Sequence, residues 1–342
     1  MGDSSQIRSP FKLDPTEARH DKAIATQVHS GPIGWTACWT ASGPAGPLLD
    51  LLDPAGPLAA PPLMGLKMVI KAQTLRTEAE LASLINSHAI LPTDPSFMKV
   101  HMTLHQSPTF ASNGVLDCPG IFIALNDVIV GSTLDGWMLD VLSDAALSPL
   151  QQCHKVADVA GKLMRVVVKL EEHKVAHRDI KPQNLIVTQV ASTAVVVIDT
   201  DSMKLLDEEG KLEGSSVSGS PRCGTVNYEA PEIQAAGGLK YDGIKSESYS
   251  AVVTIIVPLM LHVRALDKLW KVLKVDEYTL DSVKHVLNSS IDHPKSYQLL
   301  IDALLPSISY NPDHRPNARD ALSAIMDMRD AYAVMLIDGA SS

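Results

Sequence analysis

The chain has 342 residues, and its 29 Lys and Arg against 39 Asp and Glu give a net charge of −10 when histidine is neutral. This acidic balance argues against a nucleic-acid-binding protein, which needs a basic face for the phosphate backbone. Aromatic residues make up only 4%, which also disfavours a stacking platform for single strands. Hydrophobic residues make up 45%, enough for an ordinary core, so we expect one large domain or two lobes.

The compartment is indicated by the cysteines and the apolar segments. No two of the four cysteines have the CxxC spacing, so neither a zinc knuckle nor a redox dithiol is predicted. The first residues contain no apolar stretch, so no secretory signal is predicted. The longest apolar run, Ala251–Leu261, is too short to span a bilayer and indicates a buried helix. We therefore expect an intracellular protein, cytoplasmic, nuclear or both, with no membrane partner.

The first third of the chain is rich in predicted strands. Residues 1–22 are polar and lack a period, so we expect a loose tail. Runs of apolar and β-branched residues predict four strands: Ala23–His29, Trp35–Trp39, Leu66–Lys71 and Ile121–Leu125. Residues 42–62 are so rich in Gly and Pro that they predict an inserted loop and neither a helix nor a central strand.

Two helices are predicted from the spacing of apolar residues. The segment Thr77–Ile85 has helical spacing, which places Leu81, Leu84 and Ile85 on one face. A long amphipathic helix is predicted at Val156–Leu170. The turn-rich residues 126–132 lie between them.

The later part of the chain is mainly helical. Short buried strands are predicted at Leu185–Val187 and Val195–Ile198, with a turn near residues 191–193, and the chain after Tyr249 is mostly helical. Strands at one end and helices at the other indicate an α+β class rather than alternating βαβ units.

The segment that carries chemistry reads HRDIKPQN at His177–Asn184, and it is predicted to be a loop between a helix and a strand. Its spacing suits phosphoryl transfer, because Asp179 can accept a hydroxyl proton and Lys181 can neutralise phosphate charge. The amide of Asn184 can hold Mg²⁺. Asp199 follows the apolar run VVVI and is suited to be a second ligand, because Mg²⁺ prefers oxygen donors.

Five motifs in order resemble those of eukaryotic-type protein kinases. The first three are HRDIKPQN, Asp199 and GTVNYEAPE at 224–232, which resemble HRDxKxxN, DFG and GTxxYxAPE. The last two are KSESYS at 245–250 and NPDHRP at 311–316, which resemble the family's SDxWS and NPxxRP segments. The resemblance runs from about Lys67 to Leu322.

The resemblance implies a bilobal α+β kinase fold. A strand-rich N-lobe would cover residues 23–125, including the insertion at 42–62, and a helical C-lobe would cover residues 126–336. Tails would remain at residues 1–22 and 337–342. The implied activity is transfer of the γ-phosphate of ATP, with Mg²⁺, to Ser or Thr hydroxyls of protein substrates. Lys181 and Thr225 resemble the Ser/Thr branch of the family.

The same resemblance implies catalytic and metal-binding roles by position. Asp179 would be the catalytic base, and Lys181 would stabilise the transferring phosphoryl group. Asn184 and Asp199 would bind Mg²⁺. Arg178 would receive a phosphate of the activation segment as a charge-assisted contact.

Regulatory and structural roles follow in the same way. We expect Ser220 or Ser218 to be phosphorylated, and Thr225 lies in the same activation segment. Arg315 would form a buried ion pair with Glu232 that braces the fold.

The ATP contacts are less sharply defined. Gly31 and Gly34 occupy the place of the glycine-rich loop but do not spell GxGxxG. The lysine of the N-lobe that would contact ATP is either Lys71 or Lys67. Both lie on the same face of the strand, because side chains alternate with a period of two.

The helix partner of that lysine would be Glu78, with Glu80 as the second candidate. The ATP site would lie between the lobes. Leu125 would lie near the gatekeeper position, and Asn126 to Val128 would form the hinge.

Three departures from the family's pattern bear on activity. Asp-Thr-Asp at residues 199–201 replaces DFG, so Thr200 lacks the aromatic ring. Asp201 can assist Mg²⁺ binding or face solvent, and we favour solvent. Glu247 stands in place of an aspartate and adds a methylene to the site. Pro258 should end or kink the buried helix early.

These departures keep alternatives open. A pseudokinase would keep the fold as a nucleotide-binding or scaffold module without efficient transfer. The intact Asp179, Lys181, Asn184 and Asp199 favour catalysis. A small-molecule or sugar kinase of the same fold is disfavoured, because residues 224–232 resemble the platform on which protein substrates dock.

Overall fold

The computed structural model describes residues 23–31, 34–41, 67–188, 193–213, 224–235 and 239–340. The chain forms two compact units. The first consists of residues 1–81 and 99–128, and the second of residues 82–98 and 129–342. The predicted turn near 191–193, Ser218, Ser220 and the insertion at 42–62 lie wholly or mostly outside the described residues.

The first unit is built on a five-stranded antiparallel sheet in the order β1-β2-β3-β7-β4. Its strands are β1 (Ala23–Gly31), β2 (Gly34–Ala41), β3 (Lys67–Leu75), β4 (Val100–Gln106) and β7 (Gly120–Asp127). A small hairpin of β5 (Thr109–Phe110) and β6 (Leu116–Cys118) lies between β4 and β7 in the chain.

The predicted strands lie within this sheet, apart from Leu66, which is outside the described residues. β4 was not predicted, although its sequence VHMTLHQ alternates between half-buried and exposed positions, which is the period of a strand with one buried face. β7 continues through Asn126 and Asp127, two residues into the segment predicted as turn-rich.

Helix α1 (Glu78–Ala89) begins with a capping box that its sequence encodes. The Thr77 hydroxyl accepts a hydrogen bond from the Glu80 backbone N–H at 3.1 Å, and the Glu80 carboxylate accepts one from the Thr77 N–H at 3.2 Å. Leu81 and Leu84 are buried as predicted, but Ile85 is 38% exposed. The buried face instead continues to Ser87, because Ser87 lies three residues after Leu84 and residues three apart lie on one side of a helix.

The second unit is mainly helical. Its helices are α2 (Leu134–Ser143), α3 (Pro149–Glu172), α4 (Pro231–Ala235), α5 (Gly243–His262), α6 (Leu266–Leu273), α7 (Leu280–Ser290), α8 (Pro294–Leu304) and α9 (Ala318–Ala340). Helix α3 is longer than predicted because Ser148 and Gln151 form a capping box and Pro149 occupies the first turn.

Seven short strands also belong to the described part of this unit. They are β8 (Ser132–Thr133), β9 (Val175–Ala176), β10 (Leu185–Thr188), β11 (Ala194–Val197), β12 (Lys204–Leu205), β13 (Lys211–Glu213) and β14 (Lys240–Asp242). The pairs are antiparallel: β10 pairs with β11 and β8, β12 with β9, and β13 with β14.

Helix α5 is the central helix of the second unit, and its residues from Gly243 to Met260 are buried, apart from Lys245. Its length and composition would allow it to cross a membrane, but it is mostly buried inside the fold, as the core helix of a globular protein is. Pro258 does not end the helix, which continues to His262. Proline in a helix costs about 3 kcal/mol, and burying Leu259 and Met260 returns about 1.5–3 kcal/mol each.

Candidate active site

The loop His177–Lys181 follows β9 and leads through a short 3₁₀ turn, Pro182–Asn184, into β10. The turn is closed by the Asn184 N–H, which donates to the Lys181 carbonyl at 3.0 Å. The Ile198 N–H donates to the Asn184 carbonyl at 2.9 Å. This antiparallel pairing brings Asp199, the residue after Ile198, beside the loop.

Three side chains converge on the carboxylate of Asp179. Lys181 Nζ lies 2.7 Å from Asp179 Oδ2, and Asn184 Nδ2 lies 2.9 Å from the same oxygen. The Thr225 hydroxyl donates to Oδ1 at 2.8 Å and accepts from Lys181 Nζ at 2.9 Å. Both carboxylate oxygens therefore accept hydrogen bonds, which fixes the orientation of the Asp179 carboxylate.

Thr225 was considered as a regulatory residue because it lies in the activation segment, but in the structure its hydroxyl makes contacts of a different kind. Its hydroxyl joins residues 224–232 directly to Asp179 and Lys181. A phosphate at this position would lie beside the Asp179 carboxylate and be repelled by it. The geometry therefore favours Thr225 as a link between the two segments.

Asn184 and Asp199 offer the oxygen donors that Mg²⁺ prefers. The Asn184 amide nitrogen donates to both the backbone carbonyl and the side chain of Asp179, so the amide oxygen points the other way and can face a cation. An amide oxygen and a carboxylate suit Mg²⁺, which binds proteins through one or two such ligands and keeps waters and phosphate oxygens as the others.

His177 is fully buried under the loop, and burial lowers the pKa of its imidazole. The Asp179 N–H donates to its Nδ1 at 3.3 Å, which requires the ring to be an acceptor at this nitrogen. A neutral His177 thus stabilises the backbone of Asp179 by accepting this hydrogen bond.

Helix α5 holds the loop from the other side. The Glu247 carboxylate accepts the Arg178 N–H at 2.6 Å, and the Thr254 hydroxyl donates to the Ile180 carbonyl at 3.4 Å. Arg178 has a φ of 70°, a strained value for a non-glycine residue. Burial raises the pKa of Glu247 to about 7. The glutamate is nevertheless accommodated in this position, where its hydrogen bond to the Arg178 N–H holds the strained turn.

Glu232 and Arg315 form a bidentate ion pair, with Nη1–Oε1 and Nη2–Oε2 distances of 2.7 and 2.8 Å. The Arg315 side chain is fully buried. Its remaining N–H groups donate to the carbonyls of Ser309, Lys245 and Tyr310. The pair thus ties the helix that follows residues 224–230 to the segment before α9.

A sequence model of the protein kinase domain matches residues 133–325. The chain belongs to the protein kinase family. Among curated proteins it is similar to the serine/threonine-protein kinase chk-1 of Caenorhabditis briggsae, with 36% identity over 85 residues, 25% of this chain and 16% of that protein. CBL-interacting serine/threonine-protein kinase 7 of Arabidopsis thaliana is 34% identical over 86 residues, 25% of this chain and 18% of its own.

A longer match is with the kinase and exchange factor for Rac B of Dictyostelium discoideum. It has 26% identity over 165 residues, 46% of this chain and 14% of that protein. The chain therefore spans less than a fifth of the length of each of these three relatives.

Residues of the first unit expected to contact ATP have defined places in the sheet of this kinase. Gly31 and Gly34 face each other where β1 ends and β2 begins, the position of a glycine-rich turn, and residues 32–33 are not described. In β3, Lys67 pairs with Thr40 and Lys71 pairs with Thr36 on β2.

The helix and hinge candidates also have defined places. Glu78 is the first residue of α1, whereas the Glu80 carboxylate is used by the capping box. Leu125 and Asn126 are buried residues of β7, and Val128 follows the end of that strand.

The structure corrects the expected position of Asp201. Its side chain is only 18% exposed and lies 3.7 Å from His88 of α1, so it does not simply face solvent. No sequence motif includes His88, which is why this contact could not be predicted.

Proposed function

We propose that this kinase is a Mg²⁺-dependent serine/threonine protein kinase that transfers the γ-phosphate of ATP to protein hydroxyls. The observation that carries the proposal is the cluster in which Lys181, Asn184 and Thr225 all contact the Asp179 carboxylate. A scaffold protein has no need to keep four side chains in this arrangement.

In the proposed mechanism each residue acts at a stated atom. Asp179 accepts the hydrogen bond of the substrate hydroxyl and takes its proton as the phosphorus–oxygen bond forms. Lys181 Nζ, held 2.7 Å from Asp179, places a positive charge beside the transferring group. Asn184 and Asp199 would hold Mg²⁺, which neutralises phosphate charge when bound. Catalysis then comes from positioning and charge stabilisation.

The choice of Ser and Thr over Tyr rests on the contact between Lys181 and Thr225. Both residues match the Ser/Thr branch by sequence. Because the pair fixes residues 224–232 next to Asp179, these residues would present the substrate backbone, and protein chains would be the substrates.

Nucleotide contacts complete the proposal. Lys71 or Lys67 would contact ATP phosphates, with Glu78 as the partner of the lysine. Gly31 and Gly34 would cover the phosphates.

The adenine ring would be bound along the end of β7. Asn126 and Val128 would supply the hinge contacts, and Leu125 would lie near the gatekeeper position. We propose an intracellular location for the protein, with no nucleic-acid or membrane partner.

Regulation would act through Arg178, whose backbone is anchored by Glu247 beside the catalytic aspartate. A phosphate on Ser218 or Ser220 would bind the Arg178 guanidinium and order the activation segment. Equal transfer rates for phosphatase-treated and phosphorylated protein would contradict this part of the proposal.

The function is tested by transfer from radiolabelled ATP with Mg²⁺ to a Ser/Thr peptide library. The wild type should transfer label to the peptides. Asp179→Asn should lower kcat by about 10²–10⁴-fold because the general base is lost. Asp140→Asn changes an exposed aspartate of α2 and serves as the matched control. If the wild type binds nucleotide but transfers no phosphate, the proposed enzyme activity is wrong and the pseudokinase alternative is favoured.

A further inference from the structure

The turn after Asp199 is held by the last turn of α1. Ser87, 1% exposed, lies with its hydroxyl 2.8 Å from the carbonyl oxygen of Asp201 and 2.9 Å from that of Met203. The carbonyl of Ser83 in its own helix is also at 2.9 Å. The single hydroxyl proton of Ser87 thus lies within hydrogen-bond distance of three carbonyl oxygens, and two of these belong to the turn.

His88 makes a second contact with the same turn. Its Nδ1 faces the Leu84 carbonyl at 2.9 Å, which fixes the ring and directs Nε2 towards Asp201 Oδ1 at 3.7 Å. The two side chains are 7% and 18% exposed, so water screens this pair only partly. The Asp201 carboxylate is thereby directed to α1.

The chain between α1 and β4 anchors the other side of Asp199. The Val197 N–H donates to the Ser96 carbonyl at 2.8 Å, and the Met98 N–H donates to the Val197 carbonyl at 2.9 Å. Residues 87–98 therefore contact the chain both two residues before and two residues after Asp199.

Asp199 needs such support because of its backbone. It has a φ of 60° and a ψ of 66°, the left-handed region that few non-glycine residues adopt and whose cost in backbone free energy the surrounding contacts must offset. Thr200, the next residue, is 1% exposed, and its hydroxyl has no hydrogen-bond partner within the described residues. The Thr200 side chain thus adds no hydrogen bond to the turn, whereas the Ser87 hydroxyl lies within hydrogen-bond distance of two of its carbonyls.

We propose that Ser87 and His88 are positioning residues that fix the Asp199 carboxylate in the orientation in which it holds the metal ion. Ser87 acts through the carbonyls of Asp201 and Met203, and His88 acts through the Asp201 carboxylate. This inference rests on the proposed function, since it concerns the metal site of that reaction. Asp201 is on this account part of the support, and its charge is directed away from the ion.

The test compares Ser87→Ala and His88→Gln with the wild type. Ser83→Ala is the matched control, because it removes a hydroxyl from an exposed position one turn earlier on the same helix. Two quantities are measured: the Mg²⁺ concentration that gives half-maximal transfer, and the affinity for Mn²⁺ in the presence of ADP by electron paramagnetic resonance. The melting temperature of each variant is recorded alongside.

We expect Ser87→Ala to raise the half-maximal Mg²⁺ concentration about 5- to 20-fold and to weaken Mn²⁺ binding by a similar factor. The kcat at saturating Mg²⁺ should change less than about threefold. His88→Gln should give a smaller shift in the same direction, and Ser83→Ala none. A general loss of folding would instead lower kcat and the melting temperature without a selective shift in metal affinity.

The outcomes separate the two proposals. Metal affinities of Ser87→Ala and His88→Gln within twofold of the wild type would overturn the positioning role, even if the wild type transfers phosphate. Wild-type protein that binds Mn²⁺ with ADP but transfers no phosphate would overturn the proposed function only. If Ser87→Ala does not fold, His88→Gln decides the question alone.

Discussion

Arg315 and Glu232 are joined by two parallel hydrogen bonds, and every N–H group of the arginine is used. Two donate to Glu232 and three to backbone carbonyls, and the guanidinium lies 4.9 Å from the centre of the Tyr249 ring. The charge is thus fully compensated inside the protein, where an unpaired one would be costly.

Removal of one partner of this pair should be strongly destabilising. We expect Glu232→Ala to lower the free energy of unfolding by about 3–5 kcal/mol, because it leaves the buried arginine without its counter-charge. Urea unfolding measures this change. The exposed pair Lys284–Asp302 is the control, and Lys284→Ala should cost no more than about 1 kcal/mol. Equal effects of the two variants would contradict the structural role.

Glu247 should make stability depend on pH. Burial raises its pKa from 4.5 to about 7, so between these values the folded protein holds a proton that the unfolded chain has released. The resulting stability is fully present below about pH 4.5 and is lost as pH rises through 7. The loss should reach about 3 kcal/mol, at 1.36 kcal/mol for each pKa unit.

Denaturant titrations from pH 5 to 8 test this prediction. Glu247→Gln keeps a hydrogen-bond acceptor for Arg178 but cannot ionise, so its free energy of unfolding should vary less with pH than that of the wild type. Parallel pH profiles for the two proteins would show that Glu247 does not cause the dependence.

The hydroxyl of Thr225 should matter for turnover. Thr225→Ala removes hydrogen bonds to the charged groups of Asp179 and Lys181, and each such bond contributes about 1.5–3 kcal/mol. We expect kcat to fall about 10- to 100-fold. Thr225→Ser keeps the hydroxyl and should retain most of the activity. If both variants are equally active, the hydroxyl does not orient the catalytic aspartate.

Tyr332 should stabilise the C-terminal part of the second unit. Its hydroxyl accepts a hydrogen bond from the Leu300 N–H at 3.0 Å and donates one to the Ser296 carbonyl at 2.8 Å. The hydroxyl therefore bridges a backbone donor and a backbone acceptor of α8. Tyr332→Phe leaves both without this partner and should lower the free energy of unfolding by about 1–3 kcal/mol. Tyr310→Phe, at a half-buried tyrosine, is the control and should cost less.

The result would also bear on the extent of the domain. Tyr332 lies after residue 325, where the family match ends, yet it is 1% exposed. Deletion of the chain from Ala331 should therefore destabilise the second unit at least as much as Tyr332→Phe.

Local chemistry in the sequence determined the family and most secondary structure. The spacing of Asp179, Lys181 and Asn184 predicted a loop suited to phosphoryl transfer, and the structure brings these three side chains together. The capping box of Thr77 and Glu80 also follows from the local sequence. Only the structure showed that the Glu80 carboxylate is engaged in this cap.

Contacts between distant parts of the chain were decided by the tertiary structure. The link from Thr225 to Asp179 and the contacts of Ser87 and His88 with the turn after Asp199 join residues 46 or more positions apart, and no local pattern encodes such pairs. Pro258 shows the same limit, since local propensity predicted a break and the burial of most of the helix outweighed it. Propensity and spacing act over a few residues, whereas burial is settled only when the entire chain has packed.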